Sequence, residues 1–500
     1  RANNTGVPFT WPSNPDALGA NDLSPAQVAA LRGGVTVNAD EYGEALLNFI
    51  RGDQSQEGAA STWNFRERET VLGDIVNSDP LFVPQPGFFY PDNWGGSAAE
   101  NSKPYSDFRK KFKDREPVLY FGANDGLFHA VNAYRNNTDS DAGPIRTDGG
   151  EELLAYMPSH VTGDLNRLAN PNYSHQYYVD GPSTYGDVFF GNEWHTALVG
   201  ALGHGGQGLF ALDITDPKGT QVGYPSFRES DASDLVLWEF SDSDDADMGY
   251  SFGDPVIVRM NNGKWAAIFA NGYNNTDSDG NVSSTGNAVL YIVDIETGDI
   301  IRKLDTGVGL SDDPLTLSRP NGLASPAVID RDGDYIADAI YAGDLFGNLW
   351  KFDVSDASAA NWKVAFGTAA EPEPLFVAKD SAGNRLPITS RPTVGSHPAP
   401  AIAPDDVLIY FGTGKYLESN DNDPDGQDTQ AFFSIWDDGT QVSGRSDLLE
   451  QKIIGEASNG EFDFRFTTEN EIRWEPEDDD DNPATADLPA HRGWFIDLIN

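Results

Sequence analysis

Four aspartates lie within the nine-residue stretch DRDGDYIAD at positions 330–338. Carboxylates this close repel one another, so they persist together when they face water or when they hold a cation. Aspartates at loop positions 1, 3 and 5 can point inward if the backbone curls around an ion, while position 7 adds a main-chain carbonyl and position 9 another side chain. The residues at these five positions are Asp330, Asp332, Asp334, Ile336 and Asp338.

This ligand set favours Ca²⁺, because it contains oxygen donors and lacks the nitrogen and sulfur donors that zinc, copper or iron prefer. A helix–loop–helix site is excluded, since Tyr335 stands where that loop requires glycine and Tyr341 where it requires glutamate. The flanking segments SPAVI and AIYAGDLFGNLWKF are typical of strands. The sequence therefore predicts a Ca²⁺ loop that joins two β-strands.

Two further acidic segments repeat part of the alternating pattern and are secondary metal-site candidates. A solvated surface loop is the alternative interpretation of both, because each lies in a polar insertion. The candidate residues are Asp421, Asp423, Asp425 and Asp428 in one segment, and Asp277, Asp279 and Asn281 in the other.

The composition excludes several classes of function. The 500 residues include no cysteine, which rules out disulfides and thiolate chemistry. A net charge of −46 would repel nucleic acid and anionic lipid surfaces. No apolar run reaches the ~18 residues of a membrane span. The chain starts at Arg1 without a signal-like segment, as expected of a processed protein or an excised fragment.

The first ~75 residues differ from the rest because they carry helix signals, and we predict that residues 1–75 form a short helical lead-in that packs on the rest of the chain. SPAQVAALRGG offers Ser24 as N-cap of a first helix, and Asn38 with Glu41 resembles a capping box at the start of a second. The RGD tripeptide at 51–53 falls where Gly52 should end that second helix, so we interpret it as a helix stop.

Residues 76–500 carry a repeated pattern of a turn, an alternating apolar strand and a closing Asn or Asp. A closing side chain of this kind can accept hydrogen bonds from the following turn. Units of about four strands cannot bury their faces alone, so the repeat predicts an all-β fold, a β-propeller of about seven blades with acidic loop insertions. An array of β-sandwiches is the alternative. The closing residues are Asn132, Asp213, Asp294, Asp353, Asp437 and Asp497.

Two strings resemble enzyme motifs but lack the secondary structure that those motifs require. GHGGQG at 203–208 has the glycine spacing of a dinucleotide-binding loop, and GYSFG at 249–253 matches a nucleophile elbow. Both motifs require a helix to follow, whereas LFALDIT and VIVRM predict strands. We therefore predict no enzymatic activity.

Many of these strings together resemble the C-terminal domain of the PilY-type type IV pilus biogenesis and tip-associated adhesin family. The similar stretches keep their order from about residue 46 to the end. They include LGDIVNSDPLFV, VLYFGANDGLFHAVNA, TALVGALGHGGQGLFALDIT, NGLASPAVIDRDGDYIADAIYAGDLFGNLWKFDV, YFGTGKYLE and GWFIDL.

The resemblance implies a modified, quinoprotein-like β-propeller with one Ca²⁺ loop, which maps onto residues 330–338. It also implies a place on the cell surface, at the pilus tip or outer membrane, with minor pilins and host or abiotic surfaces as partners. Such proteins support pilus assembly, oppose retraction in a Ca²⁺-dependent way, and contribute to adhesion and twitching motility. The family's N-terminal adhesive region is missing here, and its members usually continue past GWFIDL, which leaves the completeness of the last blade open.

The sequence thus predicts a non-enzymatic, Ca²⁺-binding surface protein of the type IV pilus system. A quinone (PQQ)-dependent dehydrogenase is one alternative, because such enzymes share propellers and Ca²⁺, although their frequent vicinal cysteine pair is absent. A lectin-like, glycan-binding module is the other.

Overall fold

The computed structural model describes residues 5–136, 147–278, 280–399, 401, 403, 406–418, 421–423, 428–460, 462–476 and 489–498. Within these ranges, strands far outnumber helices. The α-helices are α1 (Pro25–Leu31), α2 (Ala39–Ile50), α3 (Tyr105–Lys111), α4 (Leu165–Leu168) and α5 (Ala232–Leu235). None of the described helices has the length and apolar character needed to cross a bilayer.

The strands follow one another in chain order. The first eight are β1 (Leu81–Val83), β2 (Val118–Gly122), β3 (Phe128–Asn132), β4 (Glu152–Tyr156), β5 (Ser183–Phe190), β6 (Glu193–Ala201), β7 (Gly208–Asp213) and β8 (Val236–Ser241). The next nine are β9 (Val256–Met260), β10 (Trp265–Ala270), β11 (Val289–Asp294), β12 (Ile300–Asp305), β13 (Ala327–Ile329), β14 (Ile336–Ala337), β15 (Ala339–Gly343), β16 (Asn348–Asp353) and β17 (Lys363–Val364). The remainder are β18 (Phe366–Gly367), β19 (Pro372–Glu373), β20 (Phe376–Val377), β21 (Thr393–Ser396), β22 (Val407–Gly412), β23 (Ala431–Asp437), β24 (Leu449–Gln451), β25 (Ile453–Ser458), β26 (Asp463–Thr467) and β27 (Gly493–Asp497).

Most of these strands form five sheets of four or five strands. The first sheet is β1-β2-β3-β4, the second β5-β6-β7-β8 and the third β12-β11-β10-β9-β14. The fourth is β13-β15-β16-β17, with β20 also paired to β16, and the fifth is β21-β22-β23-β27-β24. Two short ribbons, β18-β19 and β25-β26, complete the described strands.

Each sheet packs on the next in chain order, and the central strands are therefore buried on both faces. In β11, Val289 and Tyr291 belong to the apolar cluster between the second and third sheets. Leu290 and Ile292, which point to the opposite face, belong to the cluster between the third and fourth. Small sheets stacked in this way are the building plan of a β-propeller, as predicted.

The number of sheets differs from the predicted seven or so blades, since five sheets of this size occur among the described residues. The sixth repeat, GWFIDL, forms β27, which pairs with β23 of the fifth repeat inside one sheet. The early strand β1 is the outer strand of the first sheet. A strand-level pattern cannot show which strands share a sheet, because that pairing is a tertiary contact.

The closing Asn and Asp residues behave as the sequence predicted at five of the six repeats. In each of these, one side-chain oxygen accepts a hydrogen bond from the backbone N–H two residues later. The acceptors are Asn132, Asp213, Asp294, Asp353 and Asp437. The sixth, Asp497, instead forms an ion pair with Arg445 at 2.7 Å.

The helical lead-in packs on the first two sheets. Ser24 caps α1 by accepting a hydrogen bond from Gln27 N, in a complete capping box. The box predicted for α2 does not form, because Asn38 adopts a left-handed conformation and its side chain makes no capping bond. α2 ends at Ile50, and Gly52 has a φ of 104°, so the RGD tripeptide is a helix terminus as predicted. The domain boundary near residue 75 stays a prediction.

A buried histidine on β3 gives the fold a pH dependence. Burial disfavours its charge, but hydrogen bonds with Asp125 and Glu152 outweigh this and raise the pKa of His129 to about 9. We expect about 3 kcal/mol of stability that is fully present below the ordinary pKa of ~6.5 and is lost as the pH rises through about 9. Urea midpoints measured at neutral and alkaline pH test this. If a His129→Gln variant loses as much stability at alkaline pH as the parent does, His129 is not the cause of the pH dependence.

Candidate metal site

The aspartate loop connects the third and fourth sheets. It leaves β13, the first strand of the fourth sheet, and then forms β14, which pairs in parallel with the edge strand β9 of the third sheet. The chain returns at once to the fourth sheet as β15. Asn261 at the end of β9 donates to the carbonyl oxygens of Ala337 at 2.8 Å and Val354 at 3.2 Å, which fixes the end of the loop against both sheets.

Asp330 curls the backbone of the loop. Its Oδ1 accepts hydrogen bonds from Gly333 N at 2.7 Å and Asp334 N at 3.2 Å, and its Oδ2 accepts one from Tyr335 N at 2.7 Å. Gly333 has a φ of 79° and Tyr335 one of 69°, the left-handed values that a tight turn of this kind needs. At the other end of the loop, Asp338 Oδ2 accepts a bond from Arg331 N at 2.8 Å.

Three of the predicted side chains converge. One carboxylate oxygen from each of Asp330, Asp332 and Asp338 lies within 4.8 Å of the other two. In the described part of the chain, this is the one group of three or more His, Asp or Glu side chains with such spacing. Asp334 is outside this group, and its Oδ1 accepts a hydrogen bond from Ile336 N at 2.9 Å. Ile336 is the first residue of β14.

The electrostatics of the loop show the predicted repulsion. The pKa of Asp334 is raised first by burial and then by the negative charges of Asp332, Asp330 and Asp338, and the Ile336 N–H offsets only part of this. The metal-free loop is therefore a site of concentrated negative charge, which a cation would neutralise.

The loop also reaches the fifth sheet, a contact that no sequence pattern indicated. Arg331 Nη2 lies 2.8 Å from Asp437 Oδ2, and Lys351 Nζ lies 2.6 Å from the same oxygen. The Asp437 side chain is fully buried. Burial alone would raise its pKa, but attraction to Lys351 and hydrogen bonds from Lys351 and Tyr341 hold the pKa of Asp437 below its ordinary range.

Tyr335 joins the loop to an aromatic cluster beside the third sheet. Its ring lies 5.8 Å from that of Tyr90 and 6.4 Å from that of Trp94, both edge-on. The Arg259 guanidinium, whose residue pairs with Ile336 in the β9–β14 ladder, lies 5.0 Å from the Trp94 ring. Changes in the loop can therefore reach a tryptophan directly.

The secondary candidates are not brought together in the same way. Asp421 accepts hydrogen bonds from Lys415 Nζ at 2.6 Å and from Leu417 N and Glu418 N at 2.8 Å. The lysine ammonium therefore already neutralises the carboxylate that a metal ion would bind. Asp423 and Asp428 belong to no converging group found among the described residues, and Asp425 lies outside those residues.

The second of these segments has separate hydrogen bonds. Asp277 Oδ2 accepts one from Tyr250 Oη at 3.1 Å, and Asn281 Nδ2 donates to Asp242 Oδ2 at 2.9 Å. Asp279 lies outside the described residues. The enzyme-like strings are also followed by strands, since β7 follows GHGGQG and β9 follows GYSFG.

Stacked four- and five-stranded sheets with an acidic loop between two of them define a β-propeller domain. A family model for the PilY1 beta-propeller domain matches residues 72–458. The chain therefore belongs to this family, as the sequence resemblance predicted.

Curated relatives and a solved structure agree with this assignment. The chain is 36% identical over 473 residues to a type IV pilus biogenesis factor PilY1 homolog of Xylella fastidiosa, covering 92% of this chain and 28% of the relative. It is 34% identical over 496 residues to the type IV pilus biogenesis factor PilY1 of Pseudomonas aeruginosa strain PAK, covering 92% of this chain and 37% of the relative. The crystal structure of the Pseudomonas aeruginosa PilY1 C-terminal domain superposes with a TM-score of 0.61 at 32% identity, over 84% of this chain and 77% of that one. The chain thus spans about a third of the length of these curated relatives.

Proposed function

We propose that the chain is a non-enzymatic, Ca²⁺-stabilised propeller domain of a type IV pilus biogenesis protein at the cell surface. In this role it supports pilus assembly, control of retraction, adhesion and twitching motility, together with minor pilins and host or abiotic surfaces. Two facts support the proposal: its relatives are type IV pilus biogenesis factors, and three carboxylates converge in a loop between two sheets.

The donor set of the loop fits Ca²⁺. Asp330, Asp332 and Asp338 offer hard oxygen ligands, Asp334 and the Ile336 carbonyl stay predicted ligands, and Ca²⁺ takes six to eight such ligands with water completing its shell. Bound Ca²⁺ would supply two positive charges to a loop that otherwise carries unbalanced negative charge. The backbone hydrogen bonds of Asp330 already hold the loop in its curled form, so less ordering is needed on binding.

The position of the loop explains how such a site can act beyond its own residues. One strand of the loop completes the edge of the third sheet, Arg331 reaches the fifth sheet, and Tyr335 touches the aromatic cluster. Neutralising the loop therefore strengthens the junction among three consecutive sheets, and a firm junction is what a domain under pilus tension requires.

A fluorescence signal should report the coupling through Tyr335. We expect Ca²⁺ to change the tryptophan emission of the parent chain, and we expect Tyr335→Asn to reduce this change by at least half. Asparagine tolerates the left-handed backbone at this position, so Ca²⁺ affinity should stay within about threefold of the parent. Tyr416→Asn, at a highly exposed tyrosine, is the matched control. An unchanged signal in Tyr335→Asn would show that the ring does not transmit the change.

The functional proposal is tested in the organism that encodes the chain. The full-length protein is replaced by its Asp332→Asn or Asp299→Asn form, and surface piliation and twitching are measured with millimolar Ca²⁺ and with chelator. We expect the Asp332 change to remove the Ca²⁺ response and the exposed Asp299 control to keep it. Normal responses in an Asp332→Asn strain whose purified domain no longer binds Ca²⁺ would refute the proposed role. Dye-linked alcohol oxidation by the parent chain after addition of the quinone and Ca²⁺ would refute its non-enzymatic nature.

A further inference from the structure

A cavity of about 370 Å³, here called the inner pocket, lies where four of the sheets meet. The β6–β7, β10–β11, β15–β16 and β22–β23 hairpins contribute His204, Asp277, Phe346 and Lys415 to its walls. These hairpins join the same two strand positions in the second, third, fourth and fifth sheets. The pocket is therefore a product of the repeat itself, and its volume lies in the ~300–1,000 Å³ range of small-molecule sites.

Aromatic rings form much of its wall. Phe252 packs edge-on against His204 at 4.5 Å and lies 5.7 Å from Tyr273. Phe346 and the half-buried Tyr250 complete the aromatic lining. Ring faces carry a negative quadrupole and favour contact with weakly positive C–H groups, so these walls suit a ligand with apolar faces.

The Arg319 and Lys415 side chains of the pocket already have acidic partners. Arg319 Nη2 lies 2.6 Å from the buried carboxylate of Asp313. Lys415 Nζ lies 2.6 Å from both Glu418 and Asp421. Because each cation has an acidic partner, an anionic ligand would gain little and would have to break an existing pair.

Several hydrogen-bond donors and acceptors beside the aromatic rings are available to a ligand. The hydrogen bonds of Arg319 use its Nε and Nη2, and those of Lys415 use two acceptors. Asp277 uses Oδ2 for the Tyr250 hydroxyl. Among the described residues, this leaves the Arg319 Nη1 donors, one Lys415 proton and Asp277 Oδ1 for a ligand. Donors and acceptors thus alternate beside aromatic faces.

We propose that the inner pocket binds a neutral saccharide. A sugar ring offers C–H faces to the aromatic walls and hydroxyl groups that both donate and accept, and it carries no charge to disturb the ion pairs. The proposal goes beyond the Ca²⁺ site, because none of the residues that line the pocket belongs to residues 330–338.

The test uses the whole chain in Ca²⁺ buffer and a panel of glucose, galactose, mannose, fucose and N-acetylglucosamine. Saturation-transfer NMR screens the panel and calorimetry measures affinity. We expect at least one of these sugars to bind, and Asp277→Ala and Tyr250→Ala to weaken it at least tenfold. Asp299→Ala and Phe89→Ala, at an exposed acid and an exposed ring, are the matched controls and should bind as the parent does.

Three outcomes would overturn the assignment. The first is no binding of any panel sugar at about 50 mM, far above the ~1 mM Kd that already corresponds to only about −4 kcal/mol. The second is equal binding by the pocket variants and the parent. The third is tighter binding of glucuronic acid, tested beside the panel, than of every neutral sugar. Asp332→Asn should leave sugar binding unchanged. The experiment can therefore refute the saccharide site without refuting the Ca²⁺ site, and the reverse.

Discussion

Replacing Asp332 by asparagine is expected to weaken Ca²⁺ binding at least tenfold and to abolish most of the thermal stabilisation by Ca²⁺. Asp332 is exposed, and no hydrogen bond to its carboxylate is found in the described part of the chain, so the change removes charge without breaking the loop. Saturating Ca²⁺ should stabilise the parent by about 1.4 kcal/mol at tenfold excess over Kd and about 4.1 kcal/mol at thousandfold excess.

Calorimetry on metal-free protein and thermal unfolding with and without Ca²⁺ measure both effects. Asp299→Asn is the control, because Asp299 is also exposed but lies in the turn after β11. Asp330→Ala is a poor choice for this purpose, since it also removes the acceptor for three backbone N–H groups. If the Asp332→Asn protein binds Ca²⁺ with the parent's affinity, the loop is not the site.

Replacing Asp437 by alanine is expected to destabilise the chain by about 3–5 kcal/mol, because it leaves Lys351 and Arg331 without their shared buried partner. The Lys351 side chain is only 11% exposed and cannot easily recover its hydration. Since the pKa of Asp437 is lowered in the fold, its contribution is present above the ordinary pKa of ~3.9 and is lost as the pH falls through the lowered value.

Urea unfolding at neutral pH measures the loss. Asp107→Ala removes the acid of an exposed pair with Lys110 and should cost less than about 1 kcal/mol. Combining Asp437→Ala with Lys351→Met should recover part of the stability, because one unpaired charge is removed. Equal midpoints for Asp437→Ala and Asp107→Ala would contradict the argument.

The features that sequence reasoning predicted well depend on neighbouring residues. The closing Asx turns, the Ser24 cap and the curl of the aspartate loop need contacts only a few positions apart. The family resemblance, which the family model confirmed, added the propeller. Convergence of Asp330, Asp332 and Asp338 followed from their spacing, whereas Asp334 lies outside the converging group.

Contacts between residues far apart in the sequence were not predicted. Asp437 was identified as the end of a strand, but its bond to Arg331, 106 positions earlier, depends on how the fourth and fifth sheets pack. The inner pocket combines hairpins from four sheets, and no single segment carries its signature. Among the described residues, five sheets of four or five strands form where about seven blades were predicted, since two similar strands can share one sheet.

The pairing of β27 has a consequence for how the chain matures. This strand lies between β23 and β24, so residues 431–451 cannot complete their ladder until residues 493–497 have emerged. A nascent or truncated chain would therefore hold two open sheet edges beside apolar side chains such as Phe433. Synthesis of residues 493–497 is needed to complete the fifth sheet, and forms of the protein truncated before this strand are expected to aggregate during production.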